Sequence, residues 1–230
     1  VTDTTPGPAC LQPGEFIDSA HSGVVAFADR AAGDATDPAI VAVRLYDAVR
    51  DEITYDPYRA YDDPDTYRAS AVLAKKRGYC VGKAALLAAA ARARGIPARV
   101  AFADVRNHLA TPRLLALIGT DLFIYHGITE LLLDGRWVKA TPTFDRSLCE
   151  KFGVRTLDFD GIHDAVLHPF DRSGRKHIEY VRQRGSFDDV PVATLMPEML
   201  ATYPRLNESS KTQRGDFARE AQSAAEKPTP

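Results

Sequence analysis

The sequence predicts an α+β fold in which a central helix packs on an antiparallel sheet, and three observations carry that expectation. Val81 to Arg94 is alanine-rich and closed by Gly95 and Pro97, so it reads as a strong helix with a glycine stop. The residues before it carry helical spacing. The residues after it form two apolar runs joined by Asp134-Gly135, a dipeptide suited to the positive φ angles of a two-residue hairpin turn.

In chain order, Asp37-Pro38 supplies an N-cap and a proline at the first helical position. Ile40, Val41, Val43, Leu45, Ala48 and Val49 then follow at helical spacing. A loop with Tyr55, Tyr58 and Tyr61 leads to a short helix over 67–75 and then to Arg77-Gly78-Tyr79-Cys80. The small alanine surface of 81–94 lets other elements approach closely, as a buried central helix requires. Pro97 to Val105 reads as a strand, and Leu122–Leu133 and Arg136–Thr143 as the hairpin. Residues 146–206 look mixed and largely helical, including Lys176–Val181 and Val192–Leu200. Residues 1–14 and 207–230 have the composition of flexible ends. This leaves one domain over 15–206, with a core of about 37–150 and a C-terminal extension of about 150–206.

The length of 230 residues suffices for one domain with a sizeable core. The balance of 29 basic to 31 acidic residues argues against a surface that tracks nucleic acid. No apolar run approaches the ~18 residues of a membrane-spanning helix. Val1–Gly14 lacks the charged-then-apolar design of a signal peptide, so a cytoplasmic location is expected. Cys10, Cys80 and Cys149 are odd in number and widely spaced, which disfavours a disulfide framework and leaves one of them free for chemistry.

Cys80 is the candidate nucleophile. It opens the alanine-rich helix, where unpaired amides favour the thiolate, and Gly78 and Gly82 flank it to let a substrate come close. The other reading is a buried structural cysteine. His126, on the first hairpin strand, is the candidate base. A turn at Asp134-Gly135 pairs Leu133 with Arg136, and counting back sets His126 opposite Thr143, with Thr141 and Asp145 on its diagonals. Asp145 is the expected orienter of His126, Thr141 the reserve, and Asp104 and Asn107 are further candidates. Glu130 falls opposite Lys139 as a cross-strand ion pair. Tyr79, Gly82, Asn107 and Tyr125 are assigned to substrate binding. His163 and His168, with Asp160, Asp164 and Asp171, lack the spacing of a zinc site and read as surface or capping residues, so neither metal nor cofactor is expected.

Arg77-Gly78-Tyr79-Cys80, the helix ending Arg94-Gly95-Ile96-Pro97-Ala98-Arg99-Val100, and His126 followed by Leu133-Asp134-Gly135-Arg136-Trp137-Val138 resemble the transglutaminase-like superfamily. The resemblance covers roughly 37–150 and implies a papain-like architecture with a Cys-His-Asp triad. Many members carry Asp-Pro where this chain has Thr141-Pro142, so the third member is displaced or absent. Val81 stands where animal transglutaminases have tryptophan, and no acidic loop has calcium-ligand spacing, which disfavours a calcium-activated cross-linker.

The resemblance implies a cysteine acyl-transfer enzyme. The specific expectation is a Dieckmann cyclase of the kind found in bacterial antibiotic pathways. Such an enzyme takes a β-ketoacyl-aminoacyl chain from a carrier-protein thioester and releases a tetramic acid. The alternatives are a cytosolic amidase, peptidase or transglutaminase-type acyltransferase, and a non-catalytic binding module. A cyclase requires a mainly apolar, water-poor pocket; an amidase requires an open groove with a positioned water.

Overall fold

The computed structural model describes residues 7–108, 110–206, 208 and 216–225. Its centre is helix α4, Cys80–Ala93, every residue of which from Val81 to Arg92 is buried. Alanine makes this possible, because a helix with short side chains can be approached from all sides. Helices α1 (Ser22–Ala32), α2 (Pro38–Glu52) and α3 (Ala69–Lys75) pack around it on one side. Asp37 caps α2 by accepting the Ile40 amide at 3.0 Å, with Pro38 opening the helix. Gly82 allows α3 to lie directly on α4: a Cβ there would sit 2.7 Å from Val72 Cγ2 and 2.9 Å from the Thr66 carbonyl.

On the other side lies an antiparallel sheet of order β5-β4-β3-β6, made of Arg136–Ala140, Leu122–Leu133, Ala98–Asn107 and Ile178–Phe187. A two-residue parallel pair, β1 (Thr54–Tyr55) with β2 (Arg77–Gly78), sets Tyr55 beside Gly78 at the entrance to α4. The hairpin turn has φ of 48° at Asp134 and 73° at Gly135, and the register Leu133↔Arg136 to Thr129↔Ala140 follows from it. The second strand stops at Ala140, however, not at Thr143. Pro142 has no amide to donate, and the Thr141 amide turns to the Ala165 carbonyl at 2.9 Å. Glu130 does face Lys139 in register, but its ion pair is with Arg99 on β3, at 2.6 Å.

Three expectations about the flanking regions are corrected. Ile178–Phe187 is a strand, not a helix; its polar run Arg182-Gln183-Arg184 sits at the sheet edge, where pairing to β3 outweighs a weak local pattern. Residues 7–14 are anchored at two points: Cys10 is buried with its thiol 3.1 Å from Asp188, and Arg92 donates to the Gln12 carbonyl. Phe217–Ala225 form a helix, α8, within the stretch expected to be a polar tail. Further helices are α5 (Pro112–Ile118), α6 (Arg146–Phe152) and α7 (Val192–Thr202). Among the described residues no helix is long and apolar enough to cross a membrane.

Buried cations fasten the helical layer. The Lys83 ammonium donates to the Arg50 and Ile53 carbonyls at 3.0 and 2.6 Å, satisfying the C-terminal end of α2. Burial pulls its pKa down to about 7. Arg50, fully buried, reaches the Leu157 carbonyl and Asp158, tying the loop after α6 to α2.

Candidate active site

Cys80 is the first residue of α4, and Gly127 on β4 brings the sheet against it. A Cβ on Gly127 would lie 2.8 Å from Val81 Cα, 2.9 Å from the Cys80 carbonyl oxygen and 3.0 Å from the Val81 amide nitrogen. Only glycine permits that approach. The amides of Gly127, Val81 and Cys80 act on the sulfur and draw its pKa down, but burial in apolar surroundings is stronger and pushes the thiol up to about 11. Burial therefore opposes the thiolate that the helix terminus favours.

His126 precedes Gly127 and is aimed by a bulge. The pairing Ala103↔His126 is followed by Val105↔Phe123, so β4 carries one extra residue, and Tyr125 takes a φ of 56°. The strain of a non-glycine residue at positive φ is held by several contacts. Asp104 accepts the Tyr125 amide at 3.1 Å and pairs with Arg184. The Arg184 guanidinium sits 4.0 Å from the Tyr125 ring centroid and binds Glu198 at 2.7 Å, while the Tyr125 hydroxyl donates to Glu198 at 2.8 Å. Tyr203 completes the clamp, its hydroxyl receiving the Ile124 amide and donating to the Leu122 carbonyl, both at 2.7 Å. Tyr125 is thus a brace behind the histidine and does not line the cavity. Asp104 belongs to the same brace.

The His126 ring is 5% exposed, with Nε2 buried and unpartnered and Tyr180 edge-on at 6.3 Å. Burial alone lowers its pKa to about 4. Among the described residues no carboxylate orients it. Asp145 caps α6 instead, accepting the Leu148 amide at 2.9 Å; its charge is felt by Lys83 and Cys149. The ladder that would have brought Asp145 diagonal to His126 does not extend past Ala140, and this corrects its assignment as orienter. Asparagine caps a helix as well as aspartate does, so Asp145→Asn is expected to leave both stability and turnover near wild type. Asp145→Ala is expected to cost about 1 kcal/mol of stability in urea denaturation. A hundredfold loss of turnover in Asp145→Asn would restore it to the catalytic machinery.

Cys80 and His126 line one cavity of about 50 Å³. Tyr79 and Asn107 line it too, as do Tyr55, Tyr61 and Thr143, whose Oγ1 is buried without a partner. Gly82 does not: it is the packing glycine under α3. Thr141, also buried with an unpartnered hydroxyl, lines a smaller space beside His177 and Cys149. Asp160 and Asp171 accept backbone amides in turns, in the capping role the sequence suggested. Sequence reasoning missed Gly127 and the C-terminal wall of the cavity (Met199, Tyr203, Leu206, Phe217). A lone glycine inside an apolar strand was the available signal for Gly127.

His177 is buried like His126, and burial lowers its pKa to about 4 as well. Between pH 6.5, where a histidine in the unfolded chain takes its proton, and pH 4, the folded protein excludes both protons. Stability should therefore be complete above pH 6.5 and fall as the pH drops through this window, by up to ~3 kcal/mol per histidine. Urea unfolding at pH 7, 5.5 and 4.5 should show the decline and His177→Gln should flatten it; equal slopes in the two proteins would refute this origin.

A cysteine at a helix start that lines one cavity with a strand-borne histidine gives a papain-like α+β architecture. The chain belongs to the transglutaminase-like superfamily, whose family model matches residues 25–142. No curated protein matches the chain. A solved structure from Cytophaga hutchinsonii, whose name places it among the cysteine proteases, is 17% identical with a TM-score of 0.49. The match covers 80% of this chain and 48% of that one, so this chain spans about half its length.

Proposed function

We propose that the protein is a cysteine acyl-transfer enzyme acting on thioesters, and specifically a Dieckmann cyclase. In this reading it accepts a β-ketoacyl-aminoacyl chain from a carrier protein in the cytoplasm and releases a tetramic acid. The observation that carries the reading is a thiol and an imidazole that, among the described residues, have no carboxylate partner and share a cavity lined by no Asp, Glu, Lys or Arg. Expelling an amine from an amide requires that the imidazolium formed when His126 takes the thiol proton persist long enough to protonate the nitrogen, and no carboxylate among the described residues supports it. A thioester expels a thiolate, a far better leaving group, so a weakly basic histidine suffices.

In the first half-reaction Cys80 Sγ bonds to the carbonyl carbon as His126 takes the thiol proton. The carrier thiolate leaves and receives that proton. Amides at the start of α4 are the available donors for the oxyanion. In the second half-reaction His126 takes a proton from the methylene between the two carbonyls. The carbanion attacks the Cys80 thioester, the ring closes, and the Cys80 thiolate leaves and is protonated. An apolar chamber protects the acyl-enzyme from water.

Intact-protein mass spectrometry after mixing with a β-ketoacyl-aminoacyl thioester and, separately, a glutamine-containing peptide tests this. A Cys80 adduct and a ring-closed product from the thioester alone are expected. An adduct or ammonia from the peptide would move the assignment to amide chemistry. Silence from both, with a Cys80 that still alkylates, would indicate a binding module.

A further inference from the structure

The family model ends at residue 142, yet much of the cavity wall comes from later in the chain. Met199 on α7, Tyr203 just after it and Phe217 on α8 line the same space as Cys80 and as Leu114 and Ile118 of α5. Phe217 is buried and sits in an aromatic cluster, its ring 5.4 Å from Tyr55 and 5.5 Å from Phe152. The helix that carries it is anchored through Glu220. That carboxylate receives the Tyr58 hydroxyl, the Thr111 hydroxyl at 3.2 Å and Arg113 at 3.4 Å. Thr111 is also the N-cap of α5, so one carboxylate couples two walls of the cavity. Among the described residues no Asp, Glu, Lys or Arg lines the space.

We propose that the C-terminal elements form an acyl-chain pocket and that Phe217 is its specificity-determining residue, setting how long an uncharged chain attached at Cys80 can be. This rests on the thioester reading for the identity of the donor, but not for the existence of the pocket. A chain seated there exchanges water for Met, Leu, Ile and aromatic surface. Each methylene should then favour reaction by about two- to fourfold until the pocket is full.

Two reagent series separate the two claims. N-alkylmaleimides of increasing chain length add to a thiol whatever the enzyme's natural reaction, and acyl thioesters of increasing length require acyl transfer. Both are read at Cys80 by peptide mass mapping, and each variant's rate is normalised to its rate with iodoacetamide. In the wild-type protein the maleimide rate should climb with each methylene and then reach a cut-off. Phe217→Ala should move that cut-off to longer chains and Phe217→Trp to shorter ones, opposite shifts that general loosening does not produce. A wild-type rate independent of chain length, or one cut-off shared by all three proteins, overturns the pocket. Length-dependent maleimides with no acylation by any thioester would retain the pocket and refute the thioester reading alone.

Discussion

Alkylation of Cys80 by iodoacetamide is expected to accelerate about tenfold per pH unit from pH 7 to pH 10, with no plateau on the acid side. Burial pushes the thiol up to about 11 and the imidazole lining the same cavity down to about 4, and both shifts favour an uncharged pair at neutral pH. A thiolate–imidazolium pair would behave differently. It would react at a constant rate from roughly pH 4 to 8, and the plateau would vanish in His126→Gln. The neutral pair predicts that His126→Gln keeps the wild-type alkylation profile while acyl transfer falls about a hundredfold or more, because the histidine acts only when a proton must move. A plateau in the wild-type protein that His126→Gln removes would overturn the neutral pair.

Gly127→Ala is the other variant with a large expected effect. The three atoms its Cβ would meet at 2.8–3.0 Å all belong to the backbone of Cys80 and Val81, so no side-chain rotation relieves the clash. Either β4 or the start of α4 must move, and both carry the reacting groups. Misplacement on the ångström scale costs about a hundredfold in rate, and overpacking of this kind costs about 1–3 kcal/mol of stability. Thermal melting and single-turnover acylation measure the two losses separately. Wild-type acylation in a folded Gly127→Ala protein would show that strand and helix need not touch for catalysis.

Much of this arrangement was legible in the chain. The alanine-rich run, its glycine stop and the Asp134-Gly135 turn are local signals, and local signals dictated α4 and the hairpin register from Leu133↔Arg136 onward. The failures came where a local rule was extended over distance. Counting the ladder from the turn to Asp145 assumed that β5 runs past Pro142, and the chain instead leaves to pair with Ala165. Gly82 invited a substrate-binding reading because it lies two residues from Cys80, but what presses on it is α3. Ile178–Phe187 carries too weak an alternation to be read as a strand without β3 beside it.

The amino-acid sequence by itself determined which residues open the central helix, which histidine sits on the facing strand, and the superfamily that this order of motifs defines. These depend on spacing and backbone preference within a few dozen residues. Only the tertiary structure decided the direction in which burial shifts Cys80 and His126, the absence among the described residues of a carboxylate on that histidine, and the lining of the cavity by Phe217, Met199 and Tyr203. Desolvation is the reason: the charge a side chain carries, and the substrate a cavity admits, depend on what is packed around them from distant parts of the chain, and no local pattern encodes that environment.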